Sequence, residues 1–199
     1  SLSNPITEYV DIISNYYSND SGDGDMLTTG TGWDAIHDMA SGYVHSTQMT
    51  ANVGVASFFN SYQKEINRAA LPIDTSGIPD DAVISQAKLK IYAERISDGD
   101  NDGNDFIRIV QTTTASTTSL VAEDYSQIGT IDNPVSGGDL DLTGISPGWV
   151  TINLNNAGLS WISKTGWTKL GLREGHDVVD IVPDYNTSTY VNLYTKNSG

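Results

Sequence analysis

The chain of 199 residues contains no cysteine. Disulfide staples, thiolate nucleophiles and Cys-ligated zinc are therefore excluded, and thiol chemistry says nothing about compartment. Basic residues are scarce: ten Lys and Arg stand against 25 Asp and Glu, a formal net charge of -15. A duplex nucleic-acid partner needs a basic face to meet its phosphates, so nucleic acid is not an expected partner. No apolar run approaches 18 residues, and so no membrane-spanning helix is expected. The opening Ser1-Leu2-Ser3-Asn4-Pro5 lacks the basic-then-apolar order of an export signal. Recurrence at periods of 20–50 residues is also absent, which argues against a solenoid or propeller.

Glutamate is rare too. The acid excess is 20 Asp against 5 Glu, accompanied by 41 Ser and Thr and 19 Gly. Asp favours turns and metal loops where Glu favours helices, so this is a strand-and-turn composition. With 38% hydrophobic content the chain can still build a core, and one domain over residues 1–199 is the expectation.

Alternation identifies the strands. In residues 87–94, Ala87, Leu89, Ile91 and Ala93 oppose Lys88, Lys90, Tyr92 and Glu94. Ile107 and Ile109 alternate with Phe106, Arg108 and Val110, and Val150, Ile152 and Leu154 with Trp149, Thr151 and Asn153. Leu170 and Leu172 oppose Trp167, Lys169 and Arg173, while Val191 and Leu193 oppose Tyr190, Asn192 and Tyr194. Earlier, residues 43–59 read as one or two strands with Val44, Val53, Val55, Phe58 and Phe59 as core candidates. In residues 66–73, Pro72 argues for an edge or a strand end. A single short helix is expected near 156–165, capped by Asn155 or Asn156 and ended by Gly166. Residues 112–119 (TTTASTTS) read as a loop. The expected fold class is all-β: an antiparallel, jelly-roll-like β-sandwich.

Residues 68–92, RAALPIDTSGIPDDAVISQAKLKIY, carry a recognisable pattern: Arg68, Leu71, Ile73, Asp74, Ile78, Pro79, Ala82, Ile84, Ala87, Leu89, Ile91 and Tyr92. The pattern resembles that of DNRLRE-type β-sandwich modules, which overlap with a carbohydrate-binding module family. Residues 156–173, NAGLSWISKTGWTKLGLR, resemble the second half of such modules, and the likeness spans most of residues 7–195. It implies a jelly-roll-like sandwich from extracellular bacterial or archaeal surface proteins or from phage. Such modules are non-catalytic parts that attach, bind glycan or build fibres. Members commonly continue into a further strand, whereas this chain stops at Asn197-Ser198-Gly199. A groove left by an absent strand exposes backbone donors and acceptors, and a neighbouring subunit's strand would fill it. The terminal apolar segment within residues 1–14 (Ile6, Tyr9, Val10, Ile12 and Ile13) is the candidate donor, although it equally suits a first strand of its own sandwich. Self-association into fibres at a cell or virion surface is then the expected role, and a monomeric module that recognises surface polysaccharide is the alternative.

Two constellations bear on ligands. Asp98-Gly99-Asp100-Asn101-Asp102-Gly103 fits the first half of a calcium loop, with Asp105 as an added ligand. Ile109 stands where an EF-hand places its bidentate Glu, which excludes that motif. The same residues equally suit a solvated hairpin loop, and residues 19–25 (NDSGDGD) offer a lesser version. Ca2+ is the one cofactor the sequence suggests. Trp149, Trp167, Tyr190, Tyr194 and Tyr92 all fall on the non-aliphatic side of their strands, where rings can stack on sugars or bury in a subunit interface. No catalytic motif is present: His37 beside Asp34 and Asp38, and His176 beside Asp177, could serve as acid–base groups, but these and His45 more often read as polar loop residues, and no H-E-x-x-H or G-x-S-x-G occurs. A non-enzyme is expected. Asn19 and Asn186 lie in N-glycosylation sequons.

Overall fold

The computed structural model describes residues 23–46, 50–58, 62–99 and 101–194. Among the described residues ten strands form one antiparallel sheet, so the all-β expectation holds. The first strands are β1 (Gly24–Gly30), β2 (Tyr43–His45), β3 (Thr50–Ser57) and β4 (Lys64–Asp74). Then come β5 (Lys88–Ser97), β6 (Phe106–Gln111), β7 (Gly138–Asp141), β8 (Gly148–Asn153), β9 (Trp167–Glu174) and β10 (Ser188–Tyr194). Their main path is β7-β6-β9-β4-β3-β10-β5-β8, with β1 on β4 and β2 on β1.

β4 is the corner of the sandwich. Its first half pairs β3, from Ser57 opposite Lys64 to Gly54 opposite Asn67. Its second half pairs β9, from Ala69 opposite Leu172 to Asp74 opposite Trp167. Two arms diverge from this switch and fold over one another. At Pro72 the strand has run past Ala70, the last partner of β1 there, and is held by β9 alone. The missing N–H of Pro72 is thus placed where one ladder has ended. At the far end the arms approach again: the Asn155 N–H donates to the Gly137 carbonyl at 2.9 Å, and a side chain at Gly138 would strike the Asn153 carbonyl.

The principal core fills the space between the arms. Val53, Leu89, Ile91, Val150, Ile152, Val191 and Leu193 come from one arm. Ala69, Leu71, Ile107, Ile109, Leu170 and Leu172 face them from the other. The period-two pattern in the sequence is the origin of this layer. A second apolar layer lies on the opposite side of β1, β4 and β6, containing Met26, Ile66, Ala70 and Val110. It is roofed by Trp33 and Ile36 of a one-turn helix, α1 (Trp33–His37), and by Leu120, Tyr125 and Ile128 in and around a 3-10 helix, Ala122–Gln127.

The helix expected near 156–165 is α2 (Asn156–Ser160), and the Asn155 side chain caps it by accepting from the Gly158 N–H at 3.0 Å. It stops before Gly166, which instead precedes β9. Two further one-turn helices, α1 and α3 (Gly175–Val179), were not expected, because a single turn carries no periodicity to read. Phe58 is exposed at the end of β3 rather than in the core, and Phe59 lies outside the described residues.

Candidate functional site

The outer face of β5, β8 and β10 gathers aromatic side chains. Because Leu89, Ile91, Val150, Ile152, Val191 and Leu193 point inward, the alternate residues Lys90, Tyr92, Trp149, Asn192 and Tyr194 point outward. Antiparallel register sets Tyr92 directly opposite Trp149. Their ring centroids are 5.4 Å apart and nearly perpendicular, at 89°. Tyr194 joins from β10, with its ring 5.3 Å from that of Tyr92. The Lys90 ammonium lies 4.9 Å over the Trp149 ring. Trp149 is 61% exposed, and Tyr92 and Tyr194 are exposed beside it. The result is a wet aromatic platform on rigid strands, each ring braced by its neighbour.

Further along the same face is a groove of about 260 Å3. Asn52, Phe58, Glu65, Asn67, Tyr190 and Asn192 are among the residues that line it. Gly54 makes the groove possible: a Cβ there would collide with Tyr190, which lies opposite on β10. Burial pushes the Glu65 carboxyl above its usual range. Three amides, a carboxyl and a phenol give the floor both donors and acceptors.

Of the five aromatic residues singled out in the sequence, Tyr92, Trp149 and Tyr194 form the platform and Tyr190 lies in the groove. Trp167 does not join them. It starts β9, opposite Asp74 on the other arm. Alternation correctly put it on the non-aliphatic side of its strand, but alternation carries no information about which arm a strand enters.

The Asp-rich segment is not a hairpin. β5 pairs β10 and β8, whereas β6 pairs β7 and β9, so residues 98–105 cross between the arms. Asp105 is buried, and its Oδ1 accepts from the Thr189 hydroxyl at 3.0 Å. Asp102 accepts from the Asn104 backbone N–H at 2.8 Å and from its side-chain amide at 3.0 Å. Burial would raise the Asp102 carboxyl, but these bonds, together with the nearby His176 ring, outweigh it and hold the group below the usual range. His176 Nε2 stands 3.4 Å from Asp102, while Nδ1 meets Glu174 at 2.8 Å. Burial pushes Glu174 up to about 8, against the pull of His176. Asp98 belongs to the same crossing, and Asp100 lies outside the described residues.

One arrangement had no counterpart in the sequence reading. Arg68 of β4 and Arg173 of β9 converge on Asp177 of α3, and all three are buried. Asp177 accepts from Arg68 Nη2 at 2.6 Å and from Arg173 Nε at 2.7 Å. The guanidiniums also donate to the carbonyls of His37, Tyr125, Thr130 and Ile131. Burial would raise the Asp177 carboxyl, yet Arg173 and Arg68 hold it well below the carboxylate range. Arg68 stacks 4.1 Å over the Tyr125 ring, whose hydroxyl accepts from Thr28 and donates to the Ile36 carbonyl. His37 and His176 are likewise fully buried rather than in solvated loops, because each is drawn into one of these polar networks.

Asn186 is exposed in a turn, with φ 62°. Asn19 and the donor candidates Ile6, Tyr9, Val10, Ile12 and Ile13 lie outside the described residues. Among the described residues no helix is long and apolar enough to cross a membrane. No family model, curated protein or solved structure matches the chain.

Proposed function

We propose that this chain is a non-catalytic glycan-binding β-sandwich of an extracellular or virion surface, which holds a neutral polysaccharide against the outer face of β5, β8, β10 and β3. The observation that carries this reading is the braced Tyr92–Trp149–Tyr194 platform, continuous with an amide-lined groove. Pyranose C–H faces stack on such rings, and amides and carboxyls take the hydroxyls. The net charge of -15 favours neutral chains, since polyanionic glycans would be repelled. The resemblance to DNRLRE-type modules points to the same class of function.

Retention on a panel of immobilised neutral polysaccharides tests it. At least one should retard the protein, and Trp149→Ala together with Tyr194→Ala should remove the retardation while the chain still unfolds in one cooperative thermal transition at a slightly lower midpoint. Equal retention of the double variant, or none by the parent chain, would end this reading.

Self-association is the second reading, and one observation favours it. β2 hydrogen-bonds to β1 alone among the described residues, leaving a sheet edge beside exposed Tyr43. Such an edge can accept a strand from another copy. Electron microscopy of concentrated protein, with calcium and with chelator, separates fibres from dispersed particles.

A further inference from the structure

The end of the second layer brings one histidine and three carboxylates together from three separate segments. His37 closes α1, and Asp38 is its C-cap. Asp132 sits in the loop after the 3-10 helix, and Asp180 caps α3. Ligand-type atoms of His37, Asp38 and Asp132 lie within 4.8 Å of one another. His37 Nδ1 is 2.7 Å from Asp38 Oδ1 and 3.6 Å from Asp180 Oδ1. Trp33 Nε1 donates to that same Asp180 oxygen at 2.8 Å.

We propose that His37, Asp38 and Asp132, with Asp180 beside them, bind a divalent first-row cation of the Zn2+ type. The placement of the ring carries the argument. The His37 side chain is fully buried, and its Nε2 lies 3.0 Å from the Asp177 carbonyl and 3.8 Å from Asp177 Oδ1. These contacts orient the ring and direct Nδ1 toward the carboxylates of Asp38 and Asp180. A metal-bound histidine is held in just this way, with its second nitrogen donating to a backbone carbonyl. A bound cation would sit between Nδ1 and the carboxylates, bonded to the Nδ1 lone pair, with the ring N–H on Nε2 turned to the Asp177 carbonyl.

The ligand set selects the class of ion. Imidazole nitrogen with carboxylate oxygens suits Zn2+ and its neighbours, whereas Ca2+ prefers oxygen alone. The ligands are also fixed from behind. Arg173 donates to the Thr130 and Ile131 carbonyls, and the Asn133 N–H donates to the Val178 carbonyl, which holds the Asp132 loop against α3. Bound metal would therefore pin α1, this loop and α3 together above Arg68, Asp177 and Arg173.

Calorimetric titration of the full chain with ZnCl2 near neutral pH, paired with nitrogen NMR of the histidine rings, tests the site. One saturable event should appear, and the His37 Nδ1 resonance should shift while Nε2 carries the ring proton in the bound state. Asp132→Asn and Asp38→Asn change exposed side chains and should keep the fold, each weakening Zn2+ at least about tenfold. Ca2+ should not compete at equal concentration. The proposal is overturned by absence of saturable Zn2+ binding up to roughly millimolar concentration. Binding that leaves the His37 ring unshifted, or that is unaltered in both variants, overturns it equally, because the ion then sits elsewhere.

Discussion

The two faces flanking the principal core reverse the usual distribution of charge and aromatic surface. On one side, under α1 and α3, two arginines and an aspartate are shut away from water. On the other, Trp149, Tyr92 and Tyr194 stand in solvent. The buried charges are satisfied: Asp177 takes donors from both guanidiniums, and backbone carbonyls take others. In such a network the loss of one member leaves its buried partners uncompensated. The exposed rings have spare faces, and spare faces are what a ligand can use. The contrast separates a region that holds the fold from one that is free to recognise something.

Asp177→Ala should break the first region most severely. It strands two guanidiniums in the interior, and removing one partner of a buried ion pair costs about 3–5 kcal/mol. Chemical denaturation should show a loss of that size or no folded protein at all. A loss below about 1 kcal/mol would mean that water reaches the cluster and that the two faces differ less than their geometry indicates.

A smaller effect of definite sign is expected at Glu174. Its carboxyl is raised from an ordinary 4.5 to about 8 in the folded chain. Between these values the native state keeps a proton that the unfolded state has released, so stability falls as pH rises through that window. Below it the contribution is complete. Asp177 works in the opposite sense: its depressed carboxyl adds stability above the ordinary Asp value, which is lost as pH falls below it. Glu174→Gln should keep the side chain's shape and flatten the decline between about 4.5 and 8, as read from denaturation midpoints across pH. An unchanged slope would show that Glu174 is ionised throughout.

The same contrast explains what could be read from the sequence. β5, β8 and β10 were legible because one face of each is wet, so polar and apolar residues alternate. The aromatic platform follows directly from that alternation. The second half of β4, with much of β6 and β9, is covered on both faces, and alternation fails there as a guide. Alternation groups Val110 with the polar side of β6, although it belongs to the second apolar layer. It sets Arg173 opposite the aliphatic face of β9, yet Arg173 is fully buried. The uninterrupted run Ala69-Ala70-Leu71-Pro72-Ile73 was the available signal, since a strand buried on both sides loses its period. Nothing local pairs Arg68 with Asp177, which is 109 residues away.

Trp149→Ala should have the smallest effect on stability, and for that reason it sharpens the contrast most. The residue is 61% exposed, and its packed partners are Tyr92 at ring edge and Lys90 above. An aromatic pair of this kind contributes about 0.5–1.5 kcal/mol beyond area burial. A cation over an exposed ring adds about 0.5–1 kcal/mol. Solvation of Lys90 and movement of Tyr92 toward Tyr194 offset part of that loss. A net destabilisation near 1 kcal/mol is therefore expected, readable as a small shift in denaturation midpoint. A loss above about 3 kcal/mol would place Trp149 with the load of the fold. Loss of polysaccharide retention in the variant would then report unfolding rather than recognition. A small loss leaves the platform as surface whose rings the sandwich can spare, and retention then becomes a direct measure of what they bind.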